Sequence, residues 1–403
     1  MAYLGVNNAV MALSIARMAD AVGNSILFII IPLYVAKLPK EYFHFPIPVL
    51  VGILISIYGF VSATLQPVMG ALSDKIGKRK ILIQAGLGLI GISTLAYIFA
   101  QHFFDLLILR TFQGIAVSIT IPASMALMAE ITKKETRGSA MGVYSTLRII
   151  GFTIGPLVGG LLKDHFGFNA AFYAGFGFII LAMFLVQMWV NDVKVRKSEE
   201  KIKIKIFEKK LLSPGILSAA SATFMMAAAF SILTALENEF NSMLKINVFQ
   251  FGIAFSMLMV TRLLFQVPLG KYSDKIGRKP LIIAGLFLMC PGTVLLGIAG
   301  SLNQLIIFRL LQGIAAACIA APAFAVAADL SRAGGEGRQM SLITMGFGLG
   351  IATGPLIAGL LAVVFFQLPF FVLGFLSLLS ALIVYKYMPE TVVSPMALFK
   401  HKS

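Results

Sequence analysis

The chain is built from twelve apolar runs, near residues 9–36, 47–72, 80–100, 103–129, 139–162, 168–190, 214–242, 246–270, 280–300, 302–328, 338–364 and 369–388. Each is long enough to cross a bilayer. Hydrocarbon offers the backbone no hydrogen-bond partners, so only helices or closed barrels span it, and runs of this length predict helices. The fold class that follows is an all-α membrane protein with twelve transmembrane helices. Composition agrees, since 59% of the residues are hydrophobic and 12% charged, whereas a soluble domain carries about 25% charged residues.

A net charge of +16 would suit nucleic acid, so the positions of the 33 lysines and arginines decide what the charge is for. Five lie inside spans: Arg17, Arg110, Arg148, Arg262 and Arg309. Twenty-four lie in or beside the loops that follow even-numbered spans and in the C-terminal tail, and four (Lys37, Lys40, Lys163 and Lys245) in the loops that follow odd-numbered spans. This is the positive-inside pattern. It predicts a multi-pass protein of the cytoplasmic (inner) membrane with both termini cytoplasmic, and it leaves no basic surface for nucleic acid to explain. Cys290 and Cys318 sit in apolar runs without metal-ligand spacing and read as small core residues. The first span has neither a cationic leader nor an A-x-A-like cleavage site and is long for a signal peptide, so it is expected to remain in the mature protein.

The chain is also duplicated. "SDKIG" occurs at 73–77 and again at 273–277; "RTFQGIA" from Arg110 returns as "RLLQGIA" from Arg309; "GPLVGGLL" from Gly155 returns as "GPLIAGLL" from Gly354. Each half holds six spans. An even number inserts the halves in the same orientation, so two six-helix bundles are expected, related by a pseudo-twofold axis along the membrane normal. The expected domains are 1–190, a basic cytoplasmic linker at 191–213, 214–390, and a cytoplasmic tail at 391–403. The linker, "NDVKVRKSEEKIKIKIFEKKLLS", reads as a solvated segment drawn to anionic lipid.

Four motifs in order along essentially the whole chain resemble those of the major facilitator superfamily, and within it the twelve-span drug:proton antiporters. The loop after span 2, "GALSDKIGKRK", places Gly70, Asp74, Gly77, Lys78 and Arg79 as the signature loop of that superfamily does, and "GKYSDKIGRK" from Gly270 is its degenerate copy, with Asp274 and Arg278. "RTFQG" in span 4 is similar to the antiporters' Arg-x-x-Gln-Gly element and supplies Arg110 and Gln113. The stretch "GVYSTLRIIGFTIGPLVGG" matches their span-5 motif through Gly142, Gly151, Gly155, Pro156 and Gly159. "ADAVGNSILFIIIPLY" looks like the acidic first helix of tetracycline-type exporters, although a second proline often found after Pro32 is missing. The resemblance implies the major facilitator fold, contacts between spans 5 and 8 and between spans 2 and 11, and a cytoplasmic gate at Asp74. That gate is closed when the protein opens outward and broken when it opens inward. Asp74 could pair with Arg137 or face the end of a neighbouring helix, and Glu130, at the end of span 4, belongs to the same cluster.

Physical chemistry gives the span-5 stretch a purpose of its own. Helices in lipid approach closely only through small residues, so Gly151, Gly155 and Gly159, recurring every four positions, predict a packing seam, and Gly142 of the same motif is expected in it as well. Pro156 removes a backbone hydrogen bond and can kink it. Gly354 and Pro355 repeat the pattern in span 11. The pair of seams is expected to pack span 5 against a partner in the other half.

Charges within the bilayer are costly and normally face a cavity or a partner. They fall in spans 1, 4, 5, 7, 8 and 10, which are expected to line a path, while spans 3, 6, 9 and 12 face lipid. Asp20 lies about 16 Å into span 1, near the midplane of a core of ~30 Å, where transporters hold their coupling sites. Arg17 is three residues before it on the same helix face, and Asn24 four after. Two readings remain open: a local ion pair that keeps Asp20 ionised, or a carboxyl that carries the proton. Glu237 and Glu239 point roughly 200° apart near the outer end of span 7, so at most one faces a cavity and a place on its rim suits either. Arg262, opposite Ser62 of the other half, could bind an anionic group of a substrate or only balance Glu237. Arg148 and Arg309 complete the set of cavity candidates.

The expected function is secondary active transport by alternating access: proton-coupled efflux of a small amphiphile, with Asp20 as proton carrier. The alternative is an importer, exchanger or uniporter of a sugar, organic anion, siderophore or lipid. An enzyme is disfavoured, because His44, His102, His165 and His401 all lie in loops or the tail and no metal or nucleophile constellation falls in a span. No nucleotide-binding G-x-x-x-x-G-K-[ST] loop is present. No cofactor or metal is expected. The partners are a small-molecule substrate, protons and the bilayer, and the expected state is a monomer.

Overall fold

The computed structural model describes residues 7–39, 45–132, 136–191, 213–330 and 336–392, without the side chains of Asp74, Arg137, Gly138 and 336–341. The described residues form thirteen α-helices. These are α1 (Asn8–Lys37), α2 (Ile47–Ile76), α3 (Arg79–Ala96), α4 (Phe103–Ile131), α5 (Arg137–Phe166), α6 (Phe168–Trp189) and α7 (Pro214–Ser231). After them come α8 (Glu237–Leu244), α9 (Val248–Ile276), α10 (Arg278–Val294), α11 (Leu302–Asp329), α12 (Glu336–Ala362) and α13 (Leu368–Tyr387). Twelve elements among the described residues are long and apolar enough to cross a membrane. α9 to α13 are spans 8 to 12.

Local chemistry sets the helix ends. The Asn7 side chain accepts from the Val10 amide at 2.8 Å, satisfying one of the free donors at the start of α1. Ser213 and Ser301 do the same for α7 and α11, each at 3.3 Å. The sharp turns from α2 to α3 and from α9 to α10 bring Gly77 to φ 68° and Gly277 to φ 107°, a left-handed backbone that favours glycine.

Span 7 departs from the continuous run expected over 214–242. α7 stops at Ser231, tightens to a 3-10 turn over Ile232–Ala235, and the chain restarts as α8. The polar string Glu237-Asn238-Glu239 ends the apolar run, and the two carboxylates lie in the first turn of α8, where the helix dipole favours negative charge.

The described chain divides into two compact units. The first draws on Met1–Phe45, Ile57–Ile206 and Ile246–Ser256, the second on Pro46–Ser56, Phe207–Lys245 and Met257–Ser403. In the first, α1 is almost wholly enclosed, with a core that includes Leu13, Ala16, Leu87, Val117, Leu127 and Ile179. In the second, α7 has the same enclosed position.

Candidate functional site

The glycines of α5 meet α1. A Cβ added at Gly151 would lie 2.7 Å from Ala21 Cβ, and one at Gly155 would lie 2.7 Å from the Val22 carbonyl oxygen; Gly159 faces Ile26. The seam expected between two halves is therefore a seam within the first unit. The contact of α5 with α9 uses the next stripe round the helix: an added Cβ at Gly160 would lie 2.8 Å from the Val248 carbonyl, and one at Gly252 would lie 2.7 Å from the Pro156 carbonyl. Gly142 belongs to neither stripe and has nothing within 4 Å. Nine residues before Gly151, it is turned half-way round the helix, which is why sequence spacing alone misassigned it.

The second unit repeats this pattern. Gly350 and Gly354 pack on Ala227, Ala228 and Ser231 of α7, while Gly359 and the Pro355 carbonyl meet Pro48 and Gly52. Ser256 donates to the Thr153 carbonyl at 2.7 Å, and Ser56 donates to that of Ala352.

Close packing of α1 on α5 brings the charged residues together. Asp20 is 1% exposed, ion-paired to Arg17 one turn back, and accepts from the Asn24 amide at 2.7 Å. The charge of Arg148 on α5 also acts on the carboxylate. The Arg148 guanidinium lies over the Phe152 ring at 5.4 Å, and that ring packs on Phe28 at 6.0 Å. Asp20 is thus ion-paired on its own helix and also lies in the field of a guanidinium on α5.

A second polar centre occurs once in each unit. On α4, Arg110 donates to Gln113 at 3.1 Å; Gln113 donates to Thr94 at 3.1 Å and accepts from the Tyr97 hydroxyl at 3.1 Å. On α11, Arg309 donates to Gln312 at 2.9 Å and Gln312 donates to Thr293 at 3.0 Å. Buried polar groups need partners, and Gln113 joins three of them while Gln312 joins two. Beyond this the two differ. The Arg110 guanidinium stands over the Tyr58 ring at 5.3 Å, whereas Arg309 donates to the Phe230 carbonyl in the last turn of α7 at 3.4 Å. A cation there complements the negative end of α7, just where that helix breaks.

At the basic-loop end, Arg79 pairs with Glu130 at 2.5 Å, and Arg278 pairs with Asp329 at 2.9 Å and Asp274 at 3.4 Å. Asp329, the counterpart of Glu130, went unnoticed in sequence although it stands at the same distance after the repeated Arg-x-x-Gln-Gly string. Lys78 is exposed at the start of α3, and Gly70 faces Pro122 at 3.6 Å. The suggested pairing of Asp74 with Arg137 involves side chains outside the described set, as do the linker over 192–212 and the tail from 393. Glu390, also missed, accepts from the first amides of α10 at 3.0 and 3.1 Å.

Glu237 is fully buried and Glu239 half-buried, and burial pushes the Glu239 carboxyl up from its ordinary value. Arg262 donates to Gln266 on its own helix at 3.0 Å. Among the described residues no cluster of three or more histidine, cysteine or acidic residues could hold a metal.

The sequence profile of the Major Facilitator Superfamily matches residues 13–241 and 215–398. An uncharacterized MFS-type transporter of Methanocaldococcus jannaschii is 27% identical over 328 residues, 77% of this chain and 82% of its own. The multidrug resistance protein MdtG of Salmonella schwarzengrund is 29% identical over 298 residues, 72% of this chain and 73% of its own. A bacterial homolog of the human lysosomal transporter Spinster, solved in an inward-facing and occupied conformation, superposes with a TM-score of 0.77 at 14% identity, covering 94% of this chain and 97% of that one. Repeated seams, paired Arg–Gln centres and a buried charged cluster on twelve spans agree with that match, and the chain belongs to the Major Facilitator Superfamily of membrane transporters.

Proposed function

We propose that this chain is a proton-coupled secondary transporter of a small amphiphile, working by alternating access, with Asp20 as the group that takes up and releases the proton. The observation that carries the reading is a buried carboxylate near the middle of α1, paired with Arg17 and within reach of the charge of Arg148, on the most enclosed helix of its unit. Uncharged, Asp20 releases Arg17; charged, it holds it. A change of one proton is thereby linked to the packing of α1 against α5. The basic loops are cytoplasmic in this reading, and the Arg79–Glu130 and Arg278–Asp329 pairs brace the cytoplasmic ends. The multidrug resistance name of the MdtG relatives supports export of drug-like compounds.

A second mode, in which proton and substrate travel together, is favoured by one observation: Asp20 is the one carboxylate beside Tyr58, around which stand three guanidiniums, those of Arg17, Arg110 and Arg148. The test is uptake and efflux of fluorescent amphiphiles of either charge in proteoliposomes, with and without an imposed pH gradient. Gradient-driven movement that disappears in Asp20→Asn while downhill exchange persists is the expected result. Equal accumulation by the parent and Asp20→Asn refutes the role of Asp20, and the sign of the gradient that drives movement separates the two modes.

A further inference from the structure

Several buried polar atoms around Asp20 have no hydrogen-bond partner among the described residues: Arg17 Nε, Arg110 Nε and Nη2, Arg148 Nε, the Tyr144 hydroxyl and Asn24 Oδ1. All but the last can donate. Buried donors left in this state are costly unless something accepts from them. The charges converge as well. Arg17 and Arg148 act on each other and on Asp20, and Tyr144 and Tyr58 act on both guanidiniums. Arg110 joins through the Tyr58 ring. α1 supplies Arg17 and Asp20, α2 Tyr58, α4 Arg110, and α5 Tyr144 and Arg148; α6, packed on α1, has no charged residue. The balance is three cations to one carboxylate.

We propose that this cluster receives the carboxylate head of a monoanionic amphiphile on Arg148 and Arg17 with the Tyr144 hydroxyl, while its apolar body lies along Phe152. Arg148 is the anchoring group: it is half-buried, with its plane on an aromatic ring and its Nε–H unused, so a planar acceptor can meet it without first breaking an ion pair. The second unit offers no such head site, because the positions equivalent to Arg148, Tyr144 and Asp20 are Phe347, Ile343 and Met226. Anion and proton favour one another here. An anion draws on Arg17, which an ionised Asp20 also claims, so affinity rises as pH falls. The inference rests on the transporter reading, and on its second mode for the sign of that linkage.

The experiment uses purified full-length protein in nonionic detergent and probes in matched sets. Naphthyl, decyl and steroid bodies each carry a carboxylate, a carboxamide or an amine, and binding is followed by calorimetry and by thermal shift. The expected result is that for at least one body the carboxylate binds about tenfold or more tighter than both partners of its set, the size of one charge-assisted contact. Arg148→Gln removes that preference without moving the unliganded melting temperature, Arg148→Lys retains part of it, and affinity increases from about pH 8 to about pH 6. Preference for the amine, lost in Asp20→Asn, overturns the anionic class but keeps the cluster as substrate site. No preference in any set, or a carboxylate preference untouched by Arg148→Gln and Arg17→Gln, overturns the proposal. The transporter reading stands apart from these outcomes, since it fails only if gradient-driven movement of the dye panel is absent.

Discussion

The two halves of the chain share a frame and differ at its centre. α5 meets α1, and α12 meets α7, through glycines whose neighbours correspond one for one: Met18, Ala21, Val22 and Ser25 in the first unit, Phe224, Ala227, Ala228 and Ser231 in the second. Ser25 even donates to the Gly151 carbonyl as Ser231 does to that of Gly350, at 3.3 and 3.4 Å. In that register Arg17, Asp20 and Asn24 become Thr223, Met226 and Phe230, while Tyr144 and Arg148 become Ile343 and Phe347. What both halves keep serves helix packing. What only one half keeps has no packing reason to be there and is the better guide to chemistry, because a charge in hydrocarbon is retained only for a cavity or a partner.

The largest effect is expected at the charged centre. Arg148→Leu should insert and melt like the parent yet lose most gradient-driven transport, while Phe347→Leu, its mirror in the second unit, should retain it. Equal rates for the two in proteoliposomes would erase the distinction between frame and centre. Next in size are the seams. Gly155→Leu and Gly354→Leu each place a side chain against a helix backbone, where an added Cβ already lies 2.7 Å from a carbonyl oxygen of Val22 or Ala228. Both should lose about 1–3 kcal/mol of stability or more, and Gly142→Leu, in open space, should stay within about 0.5 kcal/mol of the parent. Thermal melts in detergent measure all three.

The glutamine centres should give a smaller, graded difference. Gln113→Leu strands Arg110 and the Tyr97 hydroxyl while Thr94 keeps its bond to the Ile90 carbonyl, whereas Gln312→Leu strands Thr293 and leaves Arg309 its Phe230 carbonyl. Each stranded buried group costs about 1–3 kcal/mol, so the melting point should fall further for Gln113→Leu. Smallest of all, Arg278→Gln removes pairs with two partly exposed carboxylates, Asp274 and Asp329, and should cost about 0.2–1 kcal/mol, less at high salt. A loss of several kcal/mol would mean that these pairs carry more of the fold than their exposure implies.

Much of this was legible in the primary structure. Twelve spans, the duplication and the frame glycines of α5 and α12 follow from hydropathy and from strings repeated about 200 residues apart, because each is a local or periodic property. The likeness of Arg110–Gln113 to Arg309–Gln312 is also plain in the repeats. What these residues touch is not, since a helix has several faces and spacing says only which residues share one. Hence spacing points the α5 glycines at a partner in the other half when they face α1, groups Gly142 with a stripe it does not share, and hides the break after Ser231 in an apolar run. Thr94, Thr293, Tyr97, Asp329 and Glu390 bond across helices, and no spacing rule reaches across a bundle. Twelve crossings in a duplicated bundle are therefore written in the residue order, because the bilayer demands long apolar helices wherever they go. Which charges meet Asp20 emerges only once the helices are packed, because that depends on how far each is turned when α1 and α5 close on their glycines.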